Sequence, residues 1–574
     1  MIDLLNLRHE RLDDVPLLLG VARQLGLAEI LNRHLGTHGS QRGLNNGQLA
    51  VGWLAFILSQ ADHRKSAVRE WANDLPHTLE RGLGASVREV DFSDDRLGNV
   101  ARRLSDDDAW DKIEHDLWGA SMTVFELPEF SVCLDGTTSY GFHQPHEDGL
   151  MQHGHSKDHR PDLAQLKLMA AVAEPSGQMI ATQVNAGHAA DDPLYTPLIE
   201  RVRTITGRCG LLYRGDCKMA ALSTRAELMA HGDFYLMPLP MTGENANLLA
   251  QRVEAIVAGE QSATLVWNEQ TLLGAGYEFV REQTATHDNA PLTWSERVFI
   301  VRSHALAKQQ GLSLEQRLSK ATTALRKLTP AVGRGKRQIR DEATLVQAIN
   351  AVLEEQKVKE LLAVTWKREE HTRTQYVGRG RGSTKRPQRT QTEVRYVITD
   401  VVRQEAALVA RQHRLGWRAQ VTNAPAERLS FVQAVMHQRG SWTIERDFHL
   451  LKSKPLGLSP LFVWKDDQIL GLTRLLTLAL RLHTLIEGQA RRGQKQNAEV
   501  LRGLYEGQPK RTTSRPTGTR LLKAFVRIPI TLTCIATQAG EQWHVTPLSE
   551  LQQQILCLLR LPASLYAAPP VNSE

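Results

Sequence analysis

The sequence predicts an α/β fold: a mixed five-stranded sheet with helices, interrupted by an inserted subdomain and preceded by a helical N-terminal domain. Three observations predict it. Apolar residues recur at spacings of three and four over about the first 125 residues, the period falls to two from about residue 130, and between about 243 and 430 that regular alternation is lost before a helical pattern resumes. At 574 residues the chain exceeds a single compact core, so several units are expected.

Residues 1–125 read as the helical N-terminal domain, on stretches such as VPLLLGVARQLGLAEILNRHL with Gly and Asn-Gly punctuation between them. Helix pairs with short turns admit a helix-turn-helix, which makes this domain a candidate for contacts with DNA ends, although packing alone explains the same pattern. In PEFSVCLD, Phe130, Val132 and Leu134 alternate with Ser131, Cys133 and Asp135, the period of a strand ending on an acid. LKLMAAVAEPSGQMIATQV supplies two strands around a Pro-Ser-Gly hairpin. Asp191 and Asp192 open a helix with the stripe Leu194, Leu198, Val202 and Ile205; GLLYRGD is a fourth strand, KMAALSTRAELMAHG a second helix and DFYLMPLP a fifth strand.

That order, three strands and then helix, strand, helix, strand, is the order of a ribonuclease-H-like sheet, in which the fourth strand lies parallel to the first. Asp135 and Asp216, at the C-terminal ends of strands one and four, are then expected side by side although 81 positions separate them. Ligand sites of open α/β sheets gather at such strand ends. Residues 126–242 are thus the first part of a catalytic core.

Residues 243–430 read as an inserted mixed α/β subdomain, with helical EQRLSKATTALRKL and TLVQAINAVLEEQ, and strand-like ATLVWN and VRYVITDVV, around the basic loop VGRGRGSTKRPQRTQ. The loop lacks the Gly-Lys-Ser/Thr order of a P-loop and reads either as a solvated linker or as a segment that tracks DNA. Residues 431–565 return to the core. Gly440 interrupts, and Ser441 is placed to cap a helix that must end before Pro455. On it Trp442, Glu445, His449 and Lys452 share one face, while Ile444, Phe448 and Leu451 form the stripe that docks on a core. Asp447 lies roughly 160° around the helix from Glu445. Further apolar segments at 468–488 and 517–560 close the core, and 566–574 is a tail.

Lys and Arg total 70 against 63 Asp and Glu, for a formal charge of +7 and a pI near 9.1, which favours an anionic partner such as nucleic acid. The five cysteines are scattered without a Cys-x-x-Cys pair, so neither a zinc ribbon nor a disulfide framework is readable, and a reducing cytoplasm is the expected location. MIDLLNLRHERLDD lacks the apolar core of a signal peptide, and the 470s segment is interrupted by Arg474 and Arg481, so core helices and no membrane partner are expected. The histidines at 143, 146, 153, 155 and 159 invite a zinc reading, but they have no cysteine partners and no helical His-x3-His spacing.

Three carboxylates converging from two strand ends and a helix have a chemical use. Phosphodiester cleavage or transfer is an in-line displacement that builds negative charge on the attacking and leaving oxygens, and two divalent cations about 3.5–4 Å apart stabilise both. Asp and Glu are hard oxygen ligands suited to Mg²⁺, with Mn²⁺ able to substitute. Asp135 would bridge the ions, with Asp216 on one and Glu445 on the other.

LDGTTSYGFH, GHSKDHRPDLAQLKL, YRGDCKMA and WTIERDFHLLKSKPL, in that order, resemble the motifs of DDE transposases of bacterial insertion sequences. The branch resembled has a large insertion between the second Asp and the Glu and a Tyr-x2-Arg-x3-Glu-x6-Lys signature. The likeness covers residues 128–240 and 430–530 and extends to the helical N-terminal region. It implies that Asp135, Asp216 and Glu445 are the catalytic, metal-binding triad and that Lys452 matches the lysine of the signature. The Tyr and Arg of that signature are replaced by Gln438 and Ser441, while Arg439 and Trp442 agree with a common variant, so contacts near the scissile bond are where the chain departs from the pattern. Trp442 reads as a base-stacking or a core residue. Lys157, Arg160, Lys218 and His449 join Arg439, Trp442 and Lys452 as candidates for DNA contact. The resemblance implies cleavage of transposon ends and joining of the 3′ hydroxyl to target DNA. Its partners would be double-stranded terminal inverted repeats and target DNA, bound by a homodimer. A ribonuclease-H-like nuclease without strand transfer, or an inactive protein that only binds transposon ends, are the alternatives.

Overall fold

A computed structural model describes residues 7–568 apart from 40, 128, 334, 379–384, 386, 438–441 and 538–539. Strands β1 (Ser131–Gly141), β2 (Ala164–Glu174) and β3 (Gln178–Ala186) form an antiparallel meander. Helix α1 (Tyr195–Thr206) leads to β4 (Leu212–Arg214), and α2 (Leu222–Ala230) to β5 (Phe234–Pro238). β4 runs parallel to β1 and β5 parallel to β4, so the five strands lie in the order β3-β2-β1-β4-β5. This large mixed sheet with its helices fits a ribonuclease-H-like core.

The sheet is wider than the five strands that the sequence predicts. Beyond β5 the chain forms β6 (Thr264–Asn268), β7 (Thr271–His287), β8 (Ala290–Ser303), β9 (Leu362–Tyr376), β10 (Gln388–Arg403) and β11 (Trp417–Thr422). β9 and β10 pair only with each other, as a long antiparallel ribbon. The other four complete a nine-stranded sheet, β3-β2-β1-β4-β5-β11-β8-β7-β6. β11 pairs antiparallel with both β5 and β8, so the unpaired edge that a five-stranded sheet would expose is covered. Residues on both faces of this extension are apolar: Trp417, Ala419 and Val421 pack on one side, Phe299 and Val301 on the other. A strand buried on both faces needs such a run, which blurs the period-two signal.

Residues 264–303 and 417–422, expected within the inserted subdomain, therefore belong to the main sheet. What stands apart is a smaller lobe with its own apolar cluster, formed by helices His304–Leu328 and Glu342–Glu355, the β9–β10 ribbon and helix Glu405–His413.

Helix α3 (Trp442–Lys452) and the 32-residue α4 (Asp466–Asn497) close the core. α4 is long and apolar enough to cross a membrane by composition, but it lies inside the protein, packed between the N-terminal helices and the sheet. Those helices, from Val15–Gln24 to Asp107–Val124, share one continuous apolar cluster with α3, α4 and β2. The two arginines that interrupt the apolar pattern of α4 find partners for their terminal nitrogens, while the buried Nε of each has none. Arg481 donates to Glu114 Oε1 at 2.5 Å and to the Met179 carbonyl at 2.8 Å, and Arg474 donates to the Leu104 carbonyl at 2.9 Å and to Asp107.

Candidate active site

Register brings the first two acids together. Cys133 of β1 pairs with Arg214 of β4; two residues farther along each chain lie Asp135 and Asp216. The expectation that Asp135 ends its strand is corrected: β1 runs on to Gly141, still paired with β2, and it is β4 that stops at Arg214. A cleft opens where β4 departs. Gly215 precedes Asp216, and a Cβ there would come within 2.4 Å of Met219 Sδ and 3.2 Å of the Leu134 carbonyl oxygen, so a larger residue would require the Met219 side chain to shift.

Glu445 arrives on α3. Ile444, Phe448 and Leu451 are buried in the core as their spacing predicts, and Arg446 Nη1 lies 2.5 Å from Glu487 Oε1 of α4. These contacts fix the roll of the helix, so Glu445 and His449 face outward, and Glu445 lines the same cleft as Asp135 and Asp216. Asp447 is turned inward and fully buried beside Arg446. Burial pushes its carboxyl up to about 7, against the pull of Arg446 and with help from Glu487 and Glu174. It takes no part in the cleft.

The cleft measures about 490 Å³ and is lined by the three acids together with Arg214, Arg418 and Met241. Asp216 is held by three donors to Oδ1: the Tyr195 hydroxyl at 2.9 Å, Lys218 N–H at 2.9 Å and Met219 N–H at 3.3 Å. Burial and then the Asp216 charge push the Tyr195 hydroxyl pKa upward, so it stays a donor. Asp135 accepts from the Gly136 N–H at 2.7 Å and lies 3.4 Å from Lys157 Nζ. Burial raises its pKa and the Asp216 charge adds to that, outweighing Lys157 and the Gly136 N–H.

The donor chemistry fits divalent cations. Three carboxylates, the hard oxygen ligands that such ions take, face one cleft. The three do not all bring an oxygen within 4.8 Å of one another, so one ion could not touch all three in this arrangement.

The remaining sequence candidates divide. Lys452 does not point freely at solvent: its Nζ is 2.6 Å from Asp158 Oδ1, which ties the end of α3 to the SKDH segment. Arg160 is paired with Asp162 at 2.7 Å and lies 5.5 Å over the Tyr140 ring. Lys218 is exposed, with Nζ 3.8 Å from Asp192. Trp442 begins α3 with only its backbone described, and Arg439, Gln438 and Ser441 lie outside the described residues.

Three contributors escaped the sequence reading. Tyr195 steadies Asp216. Buried Arg214 pairs with Glu174 and donates to the His437 carbonyl, fastening β4 to the segment that leads to α3. Arg418 comes from β11, where the alternation of Trp417, Ala419 and Val421 with Arg418 and Gln420 in WRAQVT carried the signal.

No curated protein matches the sequence. Among solved structures, the cryo-EM structure of the piggyBac transposase synaptic complex with hairpin DNA is similar at 8% identity and a TM-score of 0.24, over 50% of this chain and 58% of that one. The chain thus spans little more than half the length of that protein. The family described as "Transposase DDE domain" matches residues 131–480, from the first residue of β1 into α4 and across more than half of the sequence. By that match the chain belongs to the transposase DDE domain family.

Proposed function

We propose that this protein is the DDE transposase of an insertion sequence, which cleaves transposon ends and joins the freed 3′ hydroxyl to target DNA. One observation carries the reading: Asp135, Asp216 and Glu445, far apart in sequence, line one cleft. Asp135, Asp216 and Glu445 would hold Mg²⁺, or Mn²⁺ in its place. Bound there, the cations would stabilise charge on the attacking and leaving oxygens.

The chain's own residues have distinct tasks. Tyr195 and the N–H groups of Lys218 and Met219 hold Asp216 in one orientation, which preorganises the ligand. Lys157, whose Nζ lies 3.4 Å from Asp135 Oδ1, is proposed to meet a phosphate oxygen. Lys218, Arg160, His449, Lys452, Arg439 and Trp442 complete the proposed DNA contacts, double-stranded terminal repeats and target DNA are the proposed partners, and a homodimer is the proposed state on DNA. The helical N-terminal region is proposed to contribute end binding.

The test uses labelled transposon ends with Mg²⁺. Asp135→Ala and Glu445→Ala should retain DNA binding and lose cleavage by at least about 1,000-fold, the scale of removing a main electrostatic contributor. Retained cleavage would refute the assignment. Supplying a precut end separates the outcomes further: joined products support a transposase, cleavage without joining indicates a nuclease, and binding without either indicates an inactive end-binding protein.

A further inference from the structure

A second group of ligand atoms lies outside the carboxylate cleft. Glu227 on α2 and His231 just beyond its end are four residues apart, the spacing that puts two side chains on one helix face. His287 ends β7, where Asp288 and Asn289 at φ 47° and 62° make a two-residue turn and His287 pairs with Ala290 of β8. Such a turn holds the strand end in one position. His287 Nε2 is 2.9 Å from Glu227 Oε2, and His231 Nδ1 is 3.0 Å from Glu227 Oε1. One ligand atom from each residue falls within 4.8 Å of the other two, and among the described residues this is the one such set of His, Cys, Asp and Glu.

The surroundings prepare the group. Arg203 of α1 donates from Nη1 to Glu227 Oε1 at 2.7 Å and from Nε to Asp233 Oδ2 at 2.7 Å, which orients the carboxylate from behind. Burial draws the Glu227 carboxyl up, but Arg203, His287 and His231 outweigh it and hold the group below its usual range. His287 Nδ1 lies 3.5 Å from the exposed Asp288 Oδ2. Two imidazoles and one carboxylate are a three-residue donor set that zinc takes with a water in the fourth position. The same imidazole nitrogens could instead carry protons and bond the carboxylate without a metal, and the two cases differ in proton release and in spectrum.

We propose that Glu227, His231 and His287 bind one divalent transition-metal ion of the zinc class, which clamps the β7–β8 hairpin to the end of α2. The clamp takes its ligand atoms from residues outside the cleft lining. It bears on the cleft through α2, the helix that follows the Asp216 loop, and joins that helix to the widened part of the sheet.

The experiment uses the full chain carrying Asp135→Asn, Asp216→Asn and Glu445→Gln, so that the cleft carboxylates do not compete. Titration with Co²⁺ alone at neutral pH should give one saturable equivalent, with the visible absorption bands of a four-coordinate ion, displaced by Zn²⁺. Adding His287→Ala should weaken Co²⁺ binding by about 100-fold or more, beyond what loss of an outer-shell contact costs. It should also abolish the rise in Tm that Zn²⁺ gives the parent. His231→Ala, away from the hairpin turn, should do the same, so a folding defect in one variant does not decide the outcome. No saturable binding in the parent, or binding unchanged in both histidine variants, would overturn the proposal.

Discussion

Tyr195 shows how much of the cleft depends on single donors. Its hydroxyl is one of three groups on Asp216 Oδ1, and a hydrogen bond to a charged acceptor is worth about 1.5–3 kcal/mol. Tyr195→Phe should therefore slow end cleavage about 10-fold and raise the Mn²⁺ concentration needed for half-maximal rate, as measured by cleavage of a labelled end across a metal titration. Asp447, one helical position beyond Arg446, gives a pH signature. Burial pushes its folded pKa up to about 7, well above the usual carboxylate range. A carboxyl with a raised folded pKa adds stability that is full at low pH and is lost as pH rises through the folded value. Asp447→Asn should thus flatten the decline in Tm between about pH 4 and pH 7 while leaving Glu445 in the cleft. A Tm profile unchanged by the substitution would refute this account.

At the scale of an element, α3 is the part whose placement matters most. It is held by an apolar stripe and by Arg446 on Glu487, and Glu445 faces the cleft because the opposite face is buried. Leu451→Ala should cost about 2–5 kcal/mol, read from chemical denaturation, and lower cleavage through loss of helix position. Glu445→Gln should abolish cleavage with stability nearly unchanged, and this contrast separates positioning from chemistry. The helix itself was legible: Ile444, Phe448 and Leu451 are buried as their spacing predicts. The strand carrying Asp135 was only partly legible. Its alternation was read to Asp135, whereas pairing with β2 continues to Gly141. Partner strands, rather than local period, decide where a strand stops.

Across the whole molecule, one apolar cluster joins the N-terminal helices, α3, α4 and β2, and the Glu114–Arg481 pair is buried within it. Glu114 also takes Arg201 Nη2 at 2.6 Å and the Thr182 N–H at 3.2 Å, so losing Arg481 removes one of two cations and costs less than the loss of about 3–5 kcal/mol for a buried acid left wholly unpaired. Arg481→Ala should lower the unfolding midpoint of the N-terminal helices and the sheet together, in one transition followed by two probes. Separate transitions would mean that the two regions are energetically independent.

The sequence by itself determined the elements with a clear period: the meander, the two helices between β3 and β5, and the face of α3. It did so because each signal is local, set by which side of a helix or strand is apolar. Only tertiary structure decided that the sheet has nine strands, that β11 sends Arg418 into the cleft, that Arg214 and Tyr195 brace the acids, and that His287 meets Glu227 and His231. These depend on pairing between distant segments, and local hydrophobic period does not encode which segments pair.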